Sequence, residues 1–176
     1  NKDQEALAAF LEQNVEPNTM KFDSLKARFD YLREHDYLET PAIDKYDFSF
    51  IEKLYDYLRS QDFHFKTFMA AYKFYAQYAL KTDDGDYYLE NFIDRVAMNA
   101  LYFADGNEDL AMDLADEIVH QRYQPATPSF LNAGRARRGE LISCFLIQST
   151  DDMNSIGRTI NSALQLSRIG GGVGIN

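Results

Sequence analysis

Cysteine is nearly absent from this chain of 176 residues, which contains only Cys144. A single cysteine cannot form a disulfide within the chain, so a disulfide-stabilised scaffold is excluded. The three histidines, His35, His64 and His120, are far apart, and no group of His, Cys, Asp and Glu has the spacing of a metal site. We therefore expect no metal ion bound by these residues.

Long apolar runs and an excess of basic residues are also missing. No apolar run approaches the length of about 20 residues that a membrane-spanning helix needs, and no signal peptide opens the chain. The net charge is −10, and residues 1–133 carry 25 acidic against 13 basic side chains, which repel nucleic-acid phosphates. We expect a cytoplasmic protein with neither a membrane nor a nucleic acid as partner.

The glycine motifs of common nucleotide-binding enzymes are absent as well. No Gly-Lys-Ser or Gly-Lys-Thr follows the glycines of residues 170–174, which excludes a Walker loop. These glycines follow a predicted helix, whereas the dinucleotide-binding fingerprint precedes one. They fit either a helix C-cap with a tight turn or a backbone that lets a substrate approach closely, and the residues leave both open.

The chain does have a hydrophobic fraction of 45%, with 12 Tyr and 13 Phe, which suffices for a real core. Apolar residues recur at helical spacing before residue 124, which predicts consecutive helices over 3–13, 25–32, 43–60, 65–81, 88–104 and 108–122. Ser24 is the predicted N-cap of the second helix. The helix over 65–81 is apolar on most sides, which predicts a central position in the bundle.

The character of the sequence changes at Gln124. Pro, Thr, Ser, Asn, Gly and Arg crowd the next fifteen residues and predict a loop. A buried strand is predicted at 140–148, a helix at 153–168 and a second strand near 173–175, which together open a parallel α/β unit. We predict a mainly α fold with a helical domain over residues 1–123 and an α/β domain from 124 to 176.

Cys144 is the candidate reactive residue. A lone cysteine in an apolar strand is usually a small buried hydrophobic residue. The other interpretation is a reactive thiol, because positive charge from the upstream cluster Arg135, Arg137 and Arg138 would lower the thiol pKa. The residues alone leave the two interpretations open, and that basic cluster is equally compatible with a solvated loop.

Several segments resemble consecutive blocks of the large, catalytic subunit of class I ribonucleotide reductase, and most closely its bacterial class Ib form. The specific blocks are YQPATPSFLNAG at 123–134, RGELISCFL at 138–146 and SALQLSRIGGGV at 162–173. FMAAYKFY at 68–75 and ALYFADGNED at 100–109 look similar too. The similarity covers most of the chain, and nothing that resembles an ATP-cone domain precedes the helices, which fits class Ib.

The resemblance implies a substrate site. Thr127 and Ser129 match a loop that helps to hold the substrate diphosphate, and Ser143 matches the residue beside the ribose. Cys144 matches one of two cysteines that deliver reducing equivalents and then pair as a disulfide. Gly172 matches a glycine whose backbone borders the substrate.

The resemblance also implies ligands, partners and a larger architecture. Asp151 matches a residue that binds the dNTP or ATP effector at an allosteric specificity site, and the helix over 153–168 matches one that packs across a homodimer. The implied fold is an N-terminal helical domain followed by the first strand-helix-strand of a ten-stranded α/β barrel, truncated at residue 176. The second redox cysteine and the radical-bearing cysteine then lie further along, so these 176 residues alone are expected to be inactive.

The implied partners are a small subunit with a dimetal-tyrosyl radical, a second large subunit and a glutaredoxin-like or thioredoxin-type reductant. No cofactor is implied for this chain itself. The alternative from a different class of function is an acidic helical protein-interaction module without catalysis, in which Cys144 is merely buried.

Overall fold

The computed structural model describes residues 1–176. The chain forms nine α-helices and two β-strands, and the strands lie on either side of the last helix. The helices are α1 (Lys2–Phe10), α2 (Leu25–Glu34), α3 (Thr40–Ile43), α4 (Phe48–Ser60), α5 (Phe68–Lys73), α6 (Phe92–Ala104), α7 (Glu108–Val119), α8 (Thr127–Asn132) and α9 (Met153–Arg168). The strands are β1 (Cys144–Ile147) and β2 (Gly172–Ile175). π-helical turns at Leu11–Val15 and Phe74–Tyr78 extend α1 and α5.

Helix α6 is the centre of the helical body. It packs against α3, α4, α7 and α8, and Val96, Ala97 and Leu101 on it are fully buried. A reciprocal capping box between Asn91 and Asp94 starts the helix, because each side chain accepts a hydrogen bond from the other residue's backbone N–H. The central helix of the bundle is therefore α6.

The predicted central position of residues 65–81 is wrong. Met69 and Tyr72 on α5 are 56% and 48% exposed. One side of this segment reaches the core at Phe74, whereas the other forms an aromatic layer near the surface, in which the Phe68 ring meets the Phe10 ring edge to face at 5.6 Å. An apolar pattern does not distinguish such a layer from a core helix.

Most predicted helices are present, with corrections at their ends. Ser24 caps α2 as predicted, since its hydroxyl accepts from the Ala27 N–H at 3.0 Å. The predicted helix 43–60 begins only at residue 48, as α4, because the short α3 ends at residue 43 and a turn separates the two. The predicted helix 88–104 begins only at residue 92, because Tyr88 and Leu89 are extended and hydrogen-bond to other segments; the Leu89 N–H donates to the Leu80 carbonyl at 2.8 Å.

The predicted loop after Gln124 contains a helix, α8. Pro128 lies in its first turn, where the missing N–H of proline is tolerated and its fixed φ suits the helix. After α8, residues 134–136 run beside residues 37–39, with the Glu39 N–H donating to the Gly134 carbonyl at 2.8 Å. This segment therefore packs on the helical body, and the domain division at 123/124 stays a prediction.

The last third of the chain is a β–α–β unit. β1 and β2 pair in parallel with Cys144 opposite Gly172 and Leu146 opposite Gly174, and α9 connects them. The mainly α architecture with a parallel α/β unit after the helices is thus confirmed. The predicted burial of β1 is wrong, since Leu146 is 90% exposed: α9 covers one face of the pair and leaves the other open. None of the helices is both long and apolar enough to cross a bilayer.

Candidate active site

Three of the predicted site residues meet at the start of the strand pair. Cys144 begins β1, is exposed and lies in register with Gly172. The Ser143 hydroxyl oxygen is 3.5 Å from the Cys144 sulfur, and the Gly172 N–H donates to the Ser143 carbonyl at 2.8 Å. The interpretation of Cys144 as a buried hydrophobic residue is therefore wrong.

The face of the sheet that carries Cys144 has no side chains on β2. Phe145 points toward α9, because its ring lies where a Cβ on Gly171 would be, next to the Leu166 carbonyl of α9. Cys144 therefore faces the other side, and its partner in the register is Gly172. The strip of β2 beside the thiol consists of backbone alone, which leaves room for a small molecule.

The glycines before β2 serve two different purposes. Gly170, at φ +91°, follows the last residues of α9 in the left-handed region, as a C-terminal helix cap requires. Gly172 belongs to the strand, where a Cβ would lie 3.4 Å from the Ser143 carbonyl oxygen. The cap interpretation thus applies to Gly170, and the close approach of a substrate to Gly172 stays a prediction.

Helix α8 joins Thr127 and Ser129 to this strand edge. The Ser129 hydroxyl donates to the Leu141 carbonyl at 2.9 Å, two residues before Ser143. Thr127 is exposed at the start of α8, and its hydroxyl oxygen lies 3.2 Å from the Tyr78 hydroxyl. The Ser129 hydrogen bond therefore links α8 to the segment that carries the thiol, whereas Thr127 contacts the helical body. Sequence reasoning missed Tyr78, for which only its place in an aromatic block was visible.

Asp151 lies apart from this group, beyond the other end of β1. Its side chain is exposed and makes no hydrogen bond within the chain, whereas Asp152 caps α9 by accepting from the Ser155 N–H at 2.9 Å. The hydroxyl of Thr150 and the N–H of Ser155 lower the pKa of Asp152. Asp151 is thus free to meet a ligand at a second, separate place.

The basic cluster upstream of Cys144 is occupied elsewhere. Arg135 donates to Glu90 at 2.9 Å, Arg137 to Asp83 at 3.0 Å, and the Arg138 Nε lies 3.5 Å from Glu39. All three pair with carboxylates on the helical body. They consequently provide no unpaired positive charge for the thiol.

The buried charge cluster beneath α8 was also missed, although charged residues in the apolar pattern of α6 were a visible signal. Glu90 and Arg95 are buried, with Glu90 Oε2 3.4 Å from the Arg95 Nε. Burial alone would raise the pKa of Glu90, but Arg95, Arg135 and Arg28 together lower it. Burial lowers the pKa of Arg95 to about 10, which leaves it charged at neutral pH.

Comparison with known families gives three consecutive matches. Residues 1–63 match the model of the ribonucleotide reductase N-terminal region, residues 64–138 its all-alpha domain and residues 142–176 its barrel domain.

Curated proteins similar to the chain carry the same name. The ribonucleoside-diphosphate reductase subunit alpha of Mycoplasma genitalium is 47% identical over 173 residues, which are 98% of this chain and 24% of the relative. That of Bacillus subtilis is 43% identical over 176 residues, all of this chain and 25% of the relative. That of Chlamydia pneumoniae is 28% identical over 163 residues, 90% of this chain and 15% of the relative. The chain spans about a quarter or less of these curated relatives.

Proposed function

Because the chain belongs to the ribonucleotide reductase large-subunit family, we propose that the full-length protein reduces ribonucleoside diphosphates to 2'-deoxyribonucleoside diphosphates for DNA synthesis. The observation that supports this proposal is the arrangement in which Ser143, Cys144 and Gly172 meet at the strand edge and the Ser129 hydroxyl ties α8, which begins at Thr127, to Leu141 just before them. The exposed Thr127 hydroxyl, which can donate to a phosphate, lies on one side of this arrangement. A thiol beside bare backbone lies on the other.

Cys144 supplies one of the two thiols that the reduction consumes. Replacing the 2'-hydroxyl by hydrogen takes two electrons and two protons, so two thiols become one disulfide and the hydroxyl oxygen leaves as water. One cysteine cannot complete this exchange, and the second redox thiol belongs to another part of the full-length protein. An external dithiol protein of the glutaredoxin or thioredoxin type then returns the pair to thiols.

The remaining partners follow from the same family. A small subunit with a dimetal-tyrosyl radical starts the radical chemistry, and a second large subunit completes a homodimer through α9, whose Ile156, Ile160 and Leu164 are exposed. Asp151 binds the dNTP or ATP effector. We propose the class Ib form of the enzyme, which the blocks around Thr127, Cys144 and Gly172 resemble most closely.

The test is Cys144→Ser in the full-length protein, assayed with its small subunit and a dithiol reductant. We expect loss of multiple turnover with unchanged equilibrium binding of the nucleoside diphosphate, because the substitution changes one atom and leaves the fold intact. Steady-state reduction at the wild-type rate would show that Cys144 has no redox role. No nucleotide reduction by the wild-type holoenzyme would remove the proposed activity altogether.

A further inference from the structure

Two buried polar side chains on α6 hold the end of α8. Arg95 and Asn99, one helical turn apart, are both 0% exposed. The Arg95 guanidinium donates to the Leu131 carbonyl at 2.8 Å and also to the Ala133 carbonyl. The Asn99 side-chain amide donates to the Phe130 carbonyl at 3.0 Å. These carbonyls are at the C-terminal end of α8, where backbone acceptors have no partner inside the helix.

Contacts with α6 decide where α8 sits, because a six-residue helix has no lasting stability of its own. Glu90 pairs with Arg95, the side chain that donates to α8. Glu90 also pairs with Arg135 on the segment that follows α8. The end of α8, through Arg95, and the following Arg135 are therefore both tied to one buried carboxylate. Neither arginine can move away without weakening the pairing of the buried Glu90.

The opposite side of α8 holds the segment that enters β1. The Asn132 side-chain amide donates to the Glu140 carbonyl at 2.9 Å, and its oxygen accepts from the Gly139 N–H at 3.3 Å. Ser129 binds the Leu141 carbonyl beside it. A continuous series of hydrogen bonds thus runs from α6 through α8 to the residues just before Cys144.

We propose that Arg95, Asn99 and Asn132 are positioning residues that align the two halves of the substrate site. They set α8 so that Thr127 meets the diphosphate while Cys144 meets the ribose of the same molecule, and the Ser129 hydroxyl, which donates to Leu141, joins the two. None of the three touches the substrate. This inference rests on the proposed function, since it needs α8 to carry diphosphate contacts.

A matched pair of variants in the full-length protein separates positioning from plain stabilisation. Asn99→Leu keeps the branched shape and the number of heavy atoms and removes the donor to α8. Tyr46→Phe removes a buried hydroxyl that donates to the Leu101 carbonyl at 2.7 Å and accepts from the Gly106 N–H, at the end of α6 away from α8. We expect both to lower the Tm. Only Asn99→Leu should raise KM and Kd for a nucleoside diphosphate, by about five- to tenfold, the equivalent of roughly 1–1.4 kcal/mol.

Asn132→Ala provides a second variant that is safe for folding, because Asn132 is only partly buried and its partners lie on an exposed segment. We expect KM to rise about two- to fivefold with a Tm close to wild type. If Asn99→Leu and Asn132→Ala both bind CDP as tightly as Tyr46→Phe does, the three residues only stabilise the fold and the inference is overturned.

Thr127→Ala, measured in the same CDP-binding assay, distinguishes failure of this inference from failure of the proposed function. Weaker binding by Thr127→Ala with normal binding by Asn99→Leu and Asn132→Ala overturns the positioning role alone. Normal binding by Thr127→Ala overturns the assignment of α8 to the diphosphate, and the positioning role with it.

Discussion

Asp151 and Asp152 are adjacent residues that the structure uses differently. The Asp152 carboxylate caps the first turn of α9, whereas the Asp151 carboxylate is exposed and makes no hydrogen bond within the chain. The resemblance that assigns an effector to Asp151 therefore fits a carboxylate that is free to accept hydrogen bonds.

The two substitutions to alanine should separate binding from helix capping. In the full-length protein, Asp151→Ala should weaken effector binding by about ten- to a hundredfold, since a hydrogen bond to a charged group contributes roughly 1.5–3 kcal/mol. The stability of the Asp151→Ala variant should stay unchanged. Asp152→Ala should instead lower stability by about 1 kcal/mol through the lost cap. Calorimetric titration with a dNTP and thermal unfolding measure the two effects, and equal effector affinity in Asp151→Ala and wild type would contradict the assignment.

The number of nearby cations decides how a buried carboxylate titrates in this protein. Asp94 has its pKa raised by burial, even though Arg28 is 3.4 Å away. The pKa of Glu90 is lowered, because three arginines together outweigh its burial. A folded-state pKa below the ordinary value of 4.5 means that ionised Glu90 stabilises the fold above about pH 4.5 and loses that effect as the pH falls through the lower, folded value. The folded-state pKa of Asp94 is raised instead, so ionising Asp94 lowers the stability of the fold as the pH rises.

Glu90→Gln should therefore have a pH-dependent cost. At pH 7 we expect a loss of about 3–5 kcal/mol in the free energy of unfolding, because the buried Arg95 and the partly buried Arg135 lose their partner. The difference from wild type should shrink below about pH 4.5. Urea unfolding at several pH values measures this difference. Glu117→Gln is the control, since Glu117 pairs with Arg122 on the surface and should change stability by less than about 1 kcal/mol. A pH-independent difference would mean that Glu90 does not act through its charge.

At the scale of elements, Gly134 fixes the turn after α8. Its φ is +77°, and a Cβ would lie 2.3 Å from the Met98 side chain on α6. Gly134→Ala should cost about 2 kcal/mol or more, from the left-handed backbone and from overpacking against Met98. Gly85, at φ +78° with nothing near its missing Cβ, isolates the backbone effect, so Gly85→Ala should cost only about 1–2 kcal/mol. Equal losses in chemical denaturation would show that Met98 moves aside freely.

The apolar periodicity correctly predicted the helices whose ends carry strong local signals. It was wrong about helices whose existence or position in the fold depends on contacts with other elements. Ser24 marks the start of α2, and the predicted bounds of α9 agree with the structure. Helix α8 escaped detection because six residues that include Pro128 show no periodic pattern. For α5, the large rings that suggested a core position instead pack against each other at the surface, as in the stacked pair Phe68 and Tyr72.

At the scale of the whole molecule, the sequence suggests candidate site residues one by one but not the contacts that unite them. The link from Tyr78 to Thr127 and that from Asn99 to Phe130 join residues 49 and 31 positions apart. Neither contact follows from spacing within a helix or strand. Arg135 illustrates the converse case: its charge was visible, yet the tertiary fold directs it to Glu90 and away from Cys144.

The side of β1 on which Cys144 lies determines from which direction other molecules can reach its thiol. In an α/β barrel the helices form the outer ring, so the face turned away from α9 is the lumen. Under the proposed function, both the substrate and the reductant of the Cys144 disulfide therefore approach from that face, past the exposed Leu146 and the bare backbone of Gly172 and Gly174.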